Sequence, residues 1–218
     1  MAKEIVLHKG ETREWVVVNE PQVDWHVVQE EGSTLRLHVV CLDDKSAQDA
    51  QWQSRIVVEQ NGKGCRTELY GMGIVREQQQ MHVMTQVLHN AGGGYSSQLF
   101  KYALDNEARG SFRGELKILP DAQKVEAYQT NRNILLSRGA MMTTEPQLEI
   151  YADDVKASHG ATTGQLDESA IFYMQQRCID KETAYRLLLC AFFDDVVREV
   201  RDEAVQQRLI DTIDSVIQ

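Results

Sequence analysis

The sequence predicts a mainly β protein of short stacked strands, finished by α-helices. Three observations predict it. Within Ser111–Leu119, Phe112, Gly114, Leu116 and Ile118 share one parity while Arg113, Glu115 and Lys117 share the other, the period of a strand with one buried face. Strand-like segments then recur, starting near Arg66, Met81, Ser96, Gly110 and Lys124. Short strands on a rough beat of about fifteen residues, none able to bury its apolar face alone, suit a solenoid of stacked rungs. Beyond Asp180 the period changes: Tyr185, Leu188, Leu189, Phe192, Phe193, Val196, Val197 and Val200 form a wide helical stripe.

In chain order, Glu14–Val18, Trp25–Gln29, Leu35–Val40 and Arg55–Glu59 read as strands rich in Val, Leu, Ile and Trp. Turn residues separate them: Asn19-Glu20-Pro21, Glu31-Gly32-Ser33, Asp43-Asp44 and Asn61-Gly62. Asn61-Gly62 is also a hairpin signal, so an antiparallel sandwich competes with the solenoid. Gly71-x-Gly73 and Gly92-Gly93-Gly94 read as bends between rungs. Neither is a phosphate loop, because the first has Arg76 where a third glycine belongs and the second precedes a strand without a following Lys-Ser/Thr.

The stretch from Lys124 to Arg177 organises the chain. Val125 and Ala127 alternate with Lys124 and Glu126, and Leu148, Ile150 and Ala152 alternate with Glu149 and Tyr151. The strand pattern breaks at His159-Gly160 and Gly164, and a helix opens after Asp167. Asp167 and Asp180 are the expected N-caps. A further break near Asp202-Glu203 precedes a last helix carrying Leu209, Ile210, Ile213 and Val216. These helices are expected to cover one end of the strand stack, whose open edges otherwise invite aggregation. The stretch also holds Gln129, Asn131, Asn133 and His159 inside apolar runs, and buried polar groups persist only where they are bonded or have chemical work.

Composition narrows the function. The 218 residues suit one domain or a domain with an appendage, and 42% are hydrophobic. With 23 basic against 33 acidic residues the net charge is −10, which excludes the basic footprint of a nonspecific nucleic-acid binder. No apolar run is long enough to span a membrane, and MAKEIVLHKGETREW lacks a signal-peptide core, so a cytoplasmic protein is expected. Cys41, Cys65, Cys178 and Cys190 form no C-x-x-C pair and read as reduced thiols that mostly pack as small hydrophobes, not as a self-contained metal site. His26, His38, His82 and His89 read as exposed strand histidines. No nucleophile–base order or carboxylate pair stands out, so no enzyme is expected.

The pieces EAYQTNRNILLS at Glu126–Ser137, PQLEIYADDVKASHGATTGQLDE at Pro146–Glu168 and IFYMQQR at Ile171–Arg177 resemble, in order and spacing, the signature of the SufB/SufD family. These are scaffold subunits of SUF iron–sulfur cluster assembly, and the likeness is to the SufD branch in particular. The resemblance implies a right-handed parallel β-helix over residues 1–165 and a C-terminal helical segment over 166–218. It also implies a short form without the family's N-terminal helical domain. By the same resemblance, His159 in Ser-His-Gly-Ala-Thr is the cluster-interface candidate and the tentative metal ligand. Two departures stand beside it. Ala157 occupies a position where relatives often have Cys, and Asn131 stands where the SufB branch carries its assembly cysteine. An amide is a poor substitute for a thiolate with soft metals.

The resemblance further implies partners. These are a SufB-like paralogue, or a second copy in a homodimer, and a SufC-like ATPase docking on the helices, with Tyr185, Leu189, Phe192 and Phe193 as candidate docking residues. Nine acids against five bases between Cys178 and Gln218 suit a basic partner. No cofactor is expected to stay on the isolated chain, and an iron–sulfur cluster would be held only transiently at a subunit interface. The competing expectation is a stand-alone β-solenoid homodimer without cluster chemistry. An acyl or sugar transferase on a solenoid lacks both its six-residue repeat and an acid–base pair.

Overall fold

The computed structural model describes residues 2–42 and 49–217, so the expected Asp43-Asp44 turn lies outside the described residues, as does the Val216 side chain. Among the described residues, twelve strands form two six-stranded sheets. Sheet A holds β1 (Lys3–Leu7), β3 (Gln22–Gln29), β5 (Gln51–Gln60), β7 (Gln80–His89), β9 (Arg109–Ile118) and β11 (Met141–Ile150). Sheet B holds β2 (Thr12–Val18), β4 (Thr34–Leu42), β6 (Arg66–Val75), β8 (Tyr95–Leu104), β10 (Val125–Leu135) and β12 (Val155–Gly164). Helices α1 (Glu168–Gln175), α2 (Lys181–Val197) and α3 (Glu203–Ile217) follow.

Every strand pairing is parallel, and each strand bonds to the next but one in sequence. The beat read from the sequence is therefore half a rung, because consecutive strands lie in opposite sheets across one lumen. This parallel solenoid rules out the antiparallel sandwich. Asn61-Gly62 makes a corner between the sheets, where Asn61 N and Gly62 N both donate to Gln29 O at 3.0 and 3.1 Å. A Cβ on Gly62 would overlap the backbone of the corner below, so the glycine serves stacking and not a hairpin. Gly93 makes the equivalent corner one rung on, with φ +70° and its N–H on Gln123 O at 2.8 Å.

The lumen is filled in register. Leu37 stacks on Leu69, Val87 on Leu116, and Phe100 meets Phe112 with centroids 4.9 Å apart. Gly71 and Gly73 belong here, within β6, and are not bends. Their missing side chains leave room for Phe100 and Tyr102 of the next rung. Two histidines expected on the surface are also buried. His89 faces the lumen and its Nε2 bonds Ser96 Oγ at 2.8 Å. His38 lies on the outer face of sheet B, stacked on Tyr70 at 4.8 Å.

That outer face is buried because the helices cover it. Leu189, Phe193, Val196, Val197, Leu209 and Ile213 pack on Val40, Leu42, Met72, Ile74 and Ala103. The helices thus cap a face and not the end of the stack. The expected N-caps form: Asp167 Oδ1 accepts from Ser169 N at 2.8 Å and Asp180 Oδ1 from Thr183 N at 2.9 Å. Polar clamps fix the helices laterally. Lys101 Nζ reaches Asp195 Oδ1 at 2.6 Å and Phe192 O at 2.7 Å. Tyr70 OH donates to Glu199 Oε2 at 3.0 Å, beside the Arg36–Glu68 ion pair at 2.6 Å.

Candidate functional site

The last rung is open. In sheet A, β11 pairs only with β9, and in sheet B, β12 pairs only with β10. Their far edges therefore carry N–H and C=O groups with no strand beside them among the described residues, a template for strand addition. Lumen-facing residues of β11 that would be buried in an inner rung are only half-buried, Met142 and Leu148 among them.

His159 lies on this edge. The expected break at His159-Gly160 does not occur, since β12 runs unbroken from Val155 to Gly164 and pairs along its length with β10. Parallel pairing tolerates the Ser-His-Gly-Ala-Thr stretch because its small residues extend without crowding, and a Cβ on Gly160 would meet nothing within 4 Å. In-register strands place paired side chains on one face, and His159 pairs with the buried Gln129. Ala157, two residues earlier, packs on the lumen core. His159 is thus a lumen-side residue, exposed only because no further rung covers it. It is a ring at the mouth of a tube, not a turn histidine.

The neighbouring polar residues divide into two kinds. Asn131 and Asn133 are satisfied. Asn133 Nδ2 donates to Asn131 Oδ1 at 2.7 Å and reaches Thr162 O and Thr163 Oγ1 at 3.3 Å, while Asn131 Nδ2 donates to Phe100 O at 3.3 Å. They tie β12 to β10. Gln129 differs: it is 2% exposed, and neither its Nε2 nor its Oε1 has a partner among the described residues.

The thiols stand apart from the mouth. Cys41 is in the lumen, where burial pushes it up to about 12. Cys65 is in a corner, with Sγ 3.1 Å from both Glu30 O and Gly62 O. Cys178 is exposed after α1 and Cys190 half-buried on α2. Among the described residues no three His, Cys, Asp or Glu side chains converge as metal ligands. His159 belongs to no such group.

Of the four docking candidates, Leu189 and Phe193 are packed against sheet B. Tyr185 and Phe192 remain half-exposed. The exposed large apolar side chains of the helices are instead Phe172 (62%), Tyr173 (58%), Ile210 (44%) and Leu187 (43%) among the described residues. The signal that could have found the first two is Ile171-Phe172-Tyr173-Met174, four apolar residues running around a short helix that can bury only one side.

Comparison with known proteins agrees with this geometry. The family model described as "SUF system FeS cluster assembly, SufBD core domain" matches residues 10–192. The chain belongs to the SufBD family. SufD of Escherichia coli K12 is 34% identical over 150 residues, covering 69% of this chain and 36% of that protein. Bacillus subtilis SufD is 34% identical over 160 residues, 68% of this chain and 36% of its own length. A SufBD family protein of Synechocystis is 33% identical over 150 residues, 69% and 33% respectively. This SufBD chain spans about a third of the length of the curated relatives it matches. The parallel solenoid and the helices after Asp167 are the features the resemblance implied. No helix of the described residues is long and apolar enough to cross a membrane.

Proposed function

We propose that this SufBD chain is a non-enzymatic cytoplasmic scaffold subunit in iron–sulfur cluster assembly. It pairs its open rung, β11 and β12, with the corresponding edges of a SufB-like paralogue, and takes a SufC-like ATPase on its helices. The observation that carries this reading is the position of His159. It is the one ionisable lumen-side residue of an uncapped β12, on an edge whose backbone is ready to bond another strand. Edge pairing would bring a partner's chemistry to this ring. The ring then ligates iron or holds a partner thiolate by a charge-assisted bond. The cluster is cargo at that junction, not a resident cofactor. A second copy of the chain has the same edge, so a homodimer is the competing pairing.

Anaerobic reconstitution with iron and sulfide tests it, using the chain, the paralogue and the ATPase together. A brown complex should form with wild type, and less of it with His159→Ala. That substitution should leave stability within about 0.5 kcal/mol, as for an exposed residue. Unchanged cluster yield in the variant, with a clear loss of stability, returns His159 to a structural role. Solution mass of the chain alone and with the paralogue separates heterodimer from homodimer.

A further inference from the structure

The column of side chains beneath His159 changes character toward the open end. Leu37 and Leu69 are apolar, and Gln98, Gln129 and His159 follow on successive rungs of sheet B. Both glutamines are buried, at 1% and 2% exposure. Thr85 Oγ1 donates across the lumen to Gln98 Oε1 at 2.7 Å. Gln98 Nε2 then has no partner among the described residues, nor does either polar atom of Gln129. Opposite Gln129 lies Gly114, whose absent side chain makes room for the amide, and Pro146 follows Gly114 in register. Gly114 and Pro146 themselves offer no side-chain hydrogen bond, and the nearest hydroxyl of β11 on this face, Thr144 Oγ1, is buried and bonded to nothing among the described residues. A buried amide with no partner is costly, so its retention calls for a use.

Glutamines on in-register parallel strands are spaced to bond along the stack, the N–H of one amide to the C=O of the next. Thr85 fixes the direction of such a chain. With Gln98 Oε1 taken, its Nε2–H is the group left to donate toward Gln129 Oε1, and Gln129 Nε2–H, which lies against Gly114, can turn to the ring on the rung above. Side-chain rotation closes these bonds, because the strands are already aligned. We propose that Gln129 is the positioning residue of His159, donating to its lumen-side nitrogen and so holding the neutral ring in the tautomer whose N–H points out of the mouth. His159 then meets an incoming sulfur anion as a hydrogen-bond donor, and not a metal through a lone pair. The functional part of this statement rests on the assembly reading above; the tautomer does not.

The test uses the isolated full chain, isotope-labelled, with two-bond proton–nitrogen correlation spectra in mildly alkaline buffer. The His159 signal is assigned by its loss in His159→Gln. Wild type should show one neutral tautomer in about tenfold excess, the ratio that one hydrogen bond of ordinary strength supports. Gln129→Leu should collapse that excess toward the mixture of a free imidazole while thermal melting stays the same or rises. Gln129→Met serves if Leu does not fold. Gln129→Glu, which accepts but does not donate when ionised, should move the proton to the lumen-side nitrogen. An unchanged tautomer ratio in Gln129→Leu or Gln129→Met overturns the proposal, whatever His159→Ala does to cluster yield. A collapsed ratio beside an unaffected yield in His159→Ala sinks the assembly reading and leaves the positioning role standing.

Discussion

Gly71 lies directly beneath Phe100, and a Cβ on Gly71 would overlap the Phe100 ring. The two form one space-filling unit across adjacent rungs. Interiors are packed too tightly to absorb such a change. Gly71→Val should therefore destabilise the fold by about 3 kcal/mol or more. Adding Phe100→Leu should recover part of the loss, although alone it opens a cavity. Urea midpoints of the four proteins in this cycle check it, and simple additivity would show that the two residues are not coupled.

Two buried histidines make the fold acid-sensitive. Burial is the main cause that lowers His38 to about 4, with Glu14 opposing it and Arg36 adding to it. Burial alone lowers His89 to about 4. In the unfolded chain each titrates near 6.5. Between those values the unfolded state binds protons that the folded state refuses, so stability present above about pH 6.5 is lost as pH falls toward 4, by about 3 kcal/mol per histidine at most. His26 acts in the opposite sense: burial lowers it, but bonds from Glu59 and Glu4 outweigh this and raise it. Denaturant melts across this window should show the acid loss. His38→Phe and His89→Leu should each flatten it by about half.

Lys101 clamps α2 to β8. Its side chain is buried while that of Asp195 is half-exposed, so solvent screens part of the pair's attraction. Lys101→Met should cost about 1–2 kcal/mol, below the full price of breaking a wholly buried pair. The loss should appear as faster hydrogen exchange in α2 and α3 and unchanged exchange in β7 and β9. Uniform loosening would mean that the helices and the solenoid unfold as one unit.

The helices separate core from available surface. Phe193→Glu should unfold the helical layer, because Phe193 is fully buried against sheet B. Phe172→Glu and Tyr173→Glu should leave the circular dichroism unchanged, since both rings are exposed. Pull-down with the ATPase should then weaken for these two, and intact binding in both places docking elsewhere.

Much of the fold was legible because alternation records burial directly. Phe112, Leu116 and Ile118 face the lumen as their parity required. Asp167 and Asp180 are N-caps because a carboxylate before a helical run satisfies orphan N–H groups whatever surrounds it. Parity misleads where a second layer arrives from far along the chain. His38 and Val40 occupy the outward parity of β4, yet both are buried, because α2 and α3 lie over them. Gly71 and Gly73 read as bends because the residues they accommodate, Phe100 and Tyr102, belong to the next rung of the sheet.

The sequence by itself determined the strand repeat, the helical close, the caps and the family, all of which depend on neighbours a few residues apart or on a contiguous motif. Only the tertiary structure decided which strands lie at the sheet edges, which helix residues are core, and that His159 stands over Gln129. The physical reason is the rung. Stacking joins residues from successive rungs through lumen packing and sheet register, and neither long-range term has a signature in a local window of sequence.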